Sequence, residues 1–172
     1  LVTHKQGEEN GRNAFVRKGE LDSDGFAVFK ITNVIQGDGA VATRSFASLN
    51  SEPLFLTARG VYALTPSDVT GERYAQERSW YIGAALTREQ ALEKACATVW
   101  GRFYVLAVNG TLYLLDGAQK SYESKNPYST YQYESYYWPG IPATCVWVEA
   151  GALRFGTAGG EVREFWPGTL AG

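Results

Sequence analysis

The chain has 172 residues, a formal net charge of −2 at pH 7, a 14% share of aromatic residues and 19 glycines. The length suffices for one hydrophobic core, and no cluster of lysines or arginines provides the concentrated charge that binding to nucleic-acid phosphates needs. No apolar run approaches the roughly 18 residues of a membrane-spanning helix. We therefore expect neither a membrane nor a specific nucleic acid as a partner.

The first 40 residues contain one clear strand signal. Residues 25–34 read as a strand without a complete hairpin before it, which suggests the outer strand of a preceding repeat unit. Asp22, Ser23, Asp24 and Gly25 resemble the opening of a calcium-binding loop, but the later glutamate of such a loop is missing, so an ordinary turn is favoured. The chain begins with Leu1 and contains no methionine. We expect it to be a fragment of a larger protein.

A hairpin pattern then recurs three times with a period of 50 residues. Gly60, Gly110 and Gly160 each stand between a strand-like run and its return strand. Asn109 before Gly110, and the Gly-Gly pair that ends at Gly160, reach the positive φ angles that tight hairpins require. Arg59 before Gly60 fits this geometry poorly. A period near 50 with several strands in each unit predicts a β-propeller or a related array.

The repeat predicts an all-β fold with propeller-like blades of four antiparallel strands. The strands beside the glycines are apolar on both faces, so they must be covered on both sides. We divide the single domain, residues 1–172, into the end of a preceding blade (1–40), two blades (41–86 and 87–140) and an incomplete blade (141–172). Inner strands are predicted at residues 42–46, 96–100 and 144–148, fourth strands at 78–82 and 130–136, and one helix between Thr87 and Ala95.

About three blades are too few to close a propeller, which typically needs four or more. Two copies of the chain could meet as a six-bladed ring. Alternatively, the rest of a longer protein could supply the missing blades. The sequence leaves both arrangements open.

Residues suited to catalysis or to metal binding are scarce. The single histidine, His4, lies near the end of the chain, so it is not a plausible base for a serine or cysteine nucleophile. No His or Cys pair has zinc-ligand spacing. Cys96 and Cys145 occupy nearly equivalent repeat positions and are interpreted as buried apolar residues rather than as a disulfide. Several acidic side chains could converge, but nothing singles out a pair: Asp68, Glu72, Asp116 and Glu149. We predict no catalytic residue, metal or cofactor.

The strongest candidate surface is a stretch rich in tyrosine. Aromatic rings with polar tips suit both protein contacts and stacking against sugars. The structural alternative is that alternate tyrosines merely cover the outer strand of a blade, and this alternative is favoured. The tentative binding residues are Tyr128, Tyr131, Tyr133, Tyr136, Tyr137 and Trp138.

Two segments resemble a known group of proteins. Residues 53–64, together with Asp68, Val69, Thr70 and Gly71, resemble phage and prophage virion proteins of Gram-positive gut bacteria, and residues 146–165 look like a later blade of the same family. The resemblance implies a virion component similar to the propeller-containing tail-hub and tail-stabilisation proteins of short-tailed phages. That family has no catalytic residues to carry over.

The resemblance and the tyrosine-rich surface lead to two functional hypotheses. In the first, the chain is a non-enzymatic structural protein of the phage neck or tail, a rigid platform that contacts other virion subunits. It is synthesised in the bacterial cytoplasm, is located in the virion, and could form a homo-oligomer. In the second, the chain is a glycan- or receptor-binding propeller module that uses the tyrosine-rich surface.

Overall fold

The computed structural model describes residues 2–4, 13–36, 39–66, 73–122 and 131–165. The described chain is dominated by β-strands, with one α-helix and two short 3-10 helices. The strands are β1 (Val2–His4), β2 (Ala14–Leu21), β3 (Ala27–Ile35), β4 (Ala47–Leu49), β5 (Glu52–Thr57), β6 (Gly60–Pro66), β7 (Arg73–Glu77), β8 (Cys96–Trp100), β9 (Phe103–Val108), β10 (Thr111–Tyr122), β11 (Tyr131–Pro139), β12 (Ala143–Glu149), β13 (Ala152–Thr157) and β14 (Val162–Glu164); helix α1 spans Trp80–Leu86, and the 3-10 helices span Thr43–Ser45 and Leu92–Lys94.

Consecutive strands form four antiparallel sheets. Sheet 1 contains β1–β3, sheet 2 contains β4–β7, sheet 3 contains β8–β11 and sheet 4 contains β12–β14, each in simple chain order. Neighbouring strands in the chain are therefore neighbours in space, as short hairpin connections favour. None of the four sheets is closed. The prediction of an all-β fold is confirmed.

The sheets pack against one another through three hydrophobic clusters. Alternate side chains of β5 separate to opposite faces: Leu54 and Leu56 pack with sheet 3, whereas Phe55 packs on the side of sheet 1 with Ile35 of β3. In sheet 3, Tyr104 and its alternate neighbours face sheet 2, and Val105 packs in the cluster shared with sheet 4. Because side chains of a strand alternate with period two, sheets 2 and 3 are covered on both faces, as their apolar pattern predicts.

The three repeat glycines lie at the turn between the second and third strands of sheets 2, 3 and 4. Asn109 (φ +47°) and Gly110 (φ +79°) form a two-residue turn with both residues in the left-handed region. In sheet 2 the turn is centred on Ala58 and Arg59, and the positive φ falls on Gly60 instead. Arg59 therefore avoids the strained conformation that its place before Gly60 suggested.

Two element predictions after β6 differ from the structure. Residues 78–82 were expected to form the fourth strand, but that strand is β7, and α1 begins at Trp80. The helix predicted between Thr87 and Ala95 is present only as the 3-10 helix Leu92–Lys94, because Thr87 instead ends α1: its backbone N–H and its hydroxyl both donate to the carbonyl of Gly83. Burial of Ile82 and Leu86 one turn apart favours a helix there, although aromatic and β-branched residues favour strands.

The inner strand expected at residues 42–46 was wrong as well. Thr43–Ser45 forms a 3-10 helix, and β4 begins at Ala47. The buried Ser45 hydroxyl donates to the carbonyl of Ala42 and accepts from the N–H of Leu56, at 2.7 and 2.9 Å. This side chain thus takes the place of a strand partner and holds the turn closed.

Candidate functional site

Strand β11 carries five of the six predicted aromatic residues along the outer side of sheet 3, where β10 is its only strand partner among the described residues. Tyr137 is opposite Tyr113, which belongs to the cluster shared with sheet 2. Because side chains alternate along a strand, Tyr133, Ser135 and Tyr137 lie on that face. Tyr136 and Trp138 are opposite residues of the cluster shared with sheet 4. Strand β11 therefore presents aromatic side chains on both faces. Tyr128 lies outside the described residues.

The beginning of β11 supports a buried ion pair. Arg78 is fully buried, and its Nη2 atom lies 2.7 Å from Oε1 of Glu52. Tyr131 and Tyr133 both donate their hydroxyl hydrogens to Oε2 of Glu52, at 3.1 and 3.0 Å. The guanidinium also stacks over the Tyr131 ring, with Cζ 3.8 Å from the ring centroid.

Further hydrogen bonds satisfy the Arg78 guanidinium and connect two sheets. Its Nη1 donates to Oε1 of Gln76 (2.7 Å) and to the carbonyl of Tyr131 (3.1 Å), and its Nη2 donates to Oγ1 of Thr65 (3.2 Å). In return, the N–H of Tyr133 donates to the carbonyl of Arg78. A buried charge is tolerated when it is both paired and hydrogen-bonded. This network therefore attaches β11 of sheet 3 to sheet 2.

The surroundings raise the pKa values of Arg78 and Tyr133. Burial disfavours the charged Arg78, but the hydrogen bond and the negative charge of Glu52 outweigh it, so the pKa of Arg78 is raised. Burial, the hydrogen bond with Tyr131 and the charge of Glu52 raise the pKa of Tyr133. The Tyr133 hydroxyl thus remains a donor to Glu52 at physiological pH. Tyr131 and Tyr133 consequently have structural roles, and the fully buried Tyr133 cannot contact a ligand.

The end of β11 is the exposed part of the predicted surface. The side chains of Tyr136, Tyr137 and Trp138 are 38–60% exposed. Each ring lies against another aromatic ring of the protein. The distances between ring centroids are 6.5 Å for Tyr137 and Tyr113, 6.4 Å for Tyr136 and Phe103, and 5.9 Å for Trp138 and Phe165. Rings held in this way lose little further freedom on contacting a ligand. This exposed aromatic group, Tyr136, Tyr137 and Trp138, is termed the β11 patch.

The segment after α1 stabilises the side of the β11 patch that faces sheet 2. Glu89 accepts hydrogen bonds from the Tyr113 hydroxyl (2.7 Å) and from Nδ2 of Asn109 (2.8 Å). Burial, followed by the hydrogen bond and the charge of Glu89, raises the pKa of Tyr113. The ring beneath Tyr137 is therefore held from its hydroxyl end.

Helix α1 adds exposed aromatic side chains that the sequence reasoning missed. Trp80 and Tyr81 are both more than half exposed, and the N–H of Trp80 donates to Oε1 of Gln132 in β11 (3.2 Å). The apolar spacing of Ile82 and Leu86, one helical turn apart, is the signal that could have predicted a helix over residues 80–86. Such a helix would place Trp80 and Tyr81 on its outer side. The strand interpretation concealed this signal.

A cleft of about 400 Å³ lies beside α1. Arg59, Tyr62, Glu77 and Trp80 supply its functional groups, and the Arg59 guanidinium is 5.2 Å from the centroid of the Tyr62 ring. Burial raises the pKa of Glu77, and the charge of Arg59 partly opposes this effect. An indole beside a carboxylate and a guanidinium offers both a stacking surface and hydrogen-bonding groups.

The remaining polar candidates that lie within the described residues have structural explanations. Asp22 Oδ1 accepts from the N–H groups of Asp24 and Phe26, so this loop is an ordinary turn in the β2–β3 hairpin. Asp116 is buried and paired with Arg102 at 2.9 Å, and Glu149 is paired with Arg154. Asp68, Glu72 and the His4 side chain lie outside the described part of the chain.

The two cysteines are free thiols, with Cys96 buried and Cys145 half-buried. No group of three or more His, Cys, Asp or Glu side chains within the described ranges could hold a metal ion. No helix in the described segments is long and apolar enough to cross a membrane.

Compared with known proteins, the chain matches no protein-family model, no curated protein and no solved structure.

Proposed function

We propose that this chain is a non-enzymatic structural protein of a phage or prophage virion, a rigid platform of β-propeller-type blades in the neck or tail. The observation that carries the proposal is the β11 patch, three exposed aromatic side chains whose rings are held by other rings of the protein. Aromatic residues of this kind are enriched where protein interfaces are most strongly stabilised. The resemblance of residues 53–64 and 146–165 to virion proteins supports the same proposal.

Sheet packing supports the rigid-platform part of the proposal. Successive four-stranded meanders that cover one another's faces pack as the blades of a propeller do. Three apolar clusters and the buried pair of Arg78 and Glu52 connect the sheets. A platform built in this way keeps its outer strands and loops in fixed positions for contact with other subunits. Closure of the propeller comes from a second copy or from further blades.

A second candidate function, glycan or receptor binding, is favoured by the cleft beside α1. Trp80 offers an exposed ring, and Glu77 and Arg59 offer hydrogen-bonding groups to the same space. Sugars are bound by such combinations of an apolar platform and a few polar groups. In this case the virion component would contact the host surface rather than other subunits.

The two functions are separated by variants in a prophage that encodes the chain. We expect Tyr137→Ser combined with Trp138→Ser to lower the yield of assembled particles, because the change removes the apolar rings without disturbing the Arg78 network. Val162→Thr, at an exposed position of β14, is the control and should leave the yield unchanged. Electron microscopy with immunogold label then shows whether the chain is in the particle and where.

Normal particle numbers together with poor adsorption, reproduced by Trp80→Ala, would support glycan or receptor binding instead. Particles that lack the label while the chain is present in the lysate would contradict both virion functions. Circular dichroism of the purified variants shows that each one is folded.

A further inference from the structure

A cleft of about 550 Å³ lies at one end of sheets 3 and 4, apart from the cleft beside α1. Its walls come from the two 3-10 helices, from the turn between β9 and β10, and from the beginning of β12. Clefts of this size with an apolar lining and a few polar groups are typical of small-molecule sites. Most of the lining side chains are small and apolar: Ala91, Ala107, Val108, Pro142, Ala143 and Ala158.

Two positively charged side chains, Arg44 and Lys94, border this cleft, which we call the Arg44 cleft. They are 50 residues apart, the period of the hairpin glycines, and each lies in the 3-10 helix that precedes the first strand of its sheet. One period later, in the first strand of sheet 4, Thr144 lines the same cleft. Corresponding positions of three successive repeat units therefore meet at this place.

Neither positive charge is paired within the part of the chain that the structure describes. Nη2 of Arg44 donates to the main-chain carbonyl of Lys94 at 3.2 Å, and no carboxylate there forms an ion pair with either side chain. A guanidinium has five N–H donors, so Arg44 has further donors for a ligand. Two like charges that border one cleft repel each other, and a bound anion would relieve this repulsion.

Acidic residues are absent from the described lining of the Arg44 cleft. Glu89 lies behind Asn109 and already accepts hydrogen bonds from Nδ2 of Asn109 and from the hydroxyl of Tyr113. Glu93 is exposed in the same 3-10 helix as Lys94 but does not line the cleft. The described charges at the cleft are therefore positive only.

The charge of Arg44 also acts on the boundary between sheets 3 and 4. Burial raises the pKa of the Cys96 thiol, and the positive charge of Arg44 partly opposes this effect. Sγ of Cys96 donates to the carbonyl of Thr144 at 3.5 Å, and Thr144 is part of the lining. The field of Arg44 thus reaches the wall of the cleft as well as the solvent.

We propose that the Arg44 cleft binds a small organic anion, a carboxylate or phosphate group attached to an apolar body. The anionic group lies against Arg44 and Lys94, because the planar fork of a guanidinium matches two oxygens of either group. The apolar body covers the alanine, valine and proline surface of the lining and removes it from water. This site goes beyond the proposed function, since it shares no residue with the β11 patch or with the cleft beside α1.

A nucleic acid is a poorer occupant of the Arg44 cleft. Two positive charges neutralise only about two phosphates, whereas firm binding to a nucleic acid uses several such contacts. The described lining also has no aromatic ring on which a base could stack. The chemistry of the lining therefore favours a compact ligand with one anionic group.

The test titrates three related probes into the isotope-labelled full chain: naphthoate, naphthyl phosphate and the neutral naphthamide. Amide NMR spectra show which residues each probe affects. We expect shifts in residues 43–45, 91–94, 107–110, 142–144 and 158, with a Kd of about 1 mM or tighter for at least one anion. Naphthamide should bind about fivefold more weakly or less, because it lacks the charge. The tighter of the two anions identifies the preferred anionic group.

Single-residue variants test the two positive charges. Arg44→Gln and Lys94→Gln should each weaken binding of the preferred anion by about threefold to tenfold, since each removes one charge-assisted contact. Binding of naphthamide should not change. Lys30→Gln is the matched control, because it removes an exposed lysine in the apolar β2–β3 hairpin, and it should leave all three affinities unchanged. Spectra recorded without probe show that each variant is folded.

Four results would overturn the proposal. Naphthamide that binds as tightly as both anions would mean that the positive charges contribute nothing. Shifts in residues 17–31 that Lys30→Gln reduces would place the probes on the β2–β3 hairpin. Inorganic phosphate that binds as tightly as naphthyl phosphate, with naphthoate no tighter, would mean that the apolar lining is not used. Spectra that do not change at about 10 mM of each probe would mean that no site of useful affinity exists.

Discussion

Arg78 and Glu52 show how single residues join two sheets of this protein. The arginine has no solvent exposure and Glu52 has little, so each charge depends on the other and on the hydroxyls of Tyr131 and Tyr133. A buried pair of opposite charges adds little net stability, because removing both groups from water offsets their attraction. Its main effect here is to fix the geometry of the contact between the two sheets. Removal of one partner, in contrast, leaves the other buried and uncompensated.

We expect Glu52→Gln to lower the free energy of unfolding by about 3 kcal/mol, because it leaves the Arg78 charge buried without a counter-charge. Urea unfolding of the purified chain measures this quantity. The control is Glu161→Gln, which removes an exposed carboxylate paired with Arg163 and should cost about 1 kcal/mol or less. Equal losses in the two variants would mean that the Arg78 guanidinium reaches water.

At the scale of elements, α1 begins within residues 78–82, which were expected to form the fourth strand of sheet 2, whereas β7 is that strand. Its Leu86 and Ile82 join the cluster between sheets 2 and 3, whereas Trp80 and Tyr81 face outward. The seven-residue helix is too short to be stable alone. Its stability therefore depends on the apolar side chains that it buries.

Leu86→Ala should lower the free energy of unfolding by about 2–5 kcal/mol, the usual cost of removing a fully buried leucine. Trp80→Ala should change it by about 0.5 kcal/mol or less, because that side chain is mostly exposed. Both values come from the same urea titration. A larger loss for Trp80→Ala than for Leu86→Ala would be incompatible with the described orientation of the helix.

At the scale of the whole molecule, burial is uneven along the series of sheets. Sheets 2 and 3 contribute most of the fully buried side chains, including Leu54, Leu56, Tyr104 and Leu106. The outer part of sheet 1 is exposed on both faces. Local opening requires least free energy where few apolar contacts are lost.

Hydrogen exchange at low protein concentration should therefore find the strongest protection in β5, β6, β9 and β10. Residues 17–21 and 27–31 of the β2–β3 hairpin should be the least protected strand segments among those described. Mass spectrometry of peptic fragments resolves these segments. Protection of the β2–β3 hairpin at low concentration equal to that of β5 would contradict the burial pattern.

The local order of this chain follows from side-chain chemistry that can be read directly. Asn109 and Gly110 accept positive φ angles, so a turn was predictable there. The unbroken apolar run around Tyr104 and Val105 required cover on both faces, so a stack of sheets was predictable as well. Both inferences use only neighbouring residues and the period of a strand.

The candidate site depended on contacts between distant residues. Glu52 and Arg78 are 26 positions apart and Tyr133 is 81 positions from Glu52, and no local pattern indicates that they meet. Tyrosines occur along the whole of β11, so the sequence does not distinguish them. Packing against sheet 2 nevertheless buries Tyr133 and leaves Tyr137 exposed. Strand pattern and turn chemistry thus determine the hairpins and their two-sided cores, because these act over a few residues. Burial, which depends on the entire arrangement of sheets, decides which aromatic and charged side chains remain available for binding.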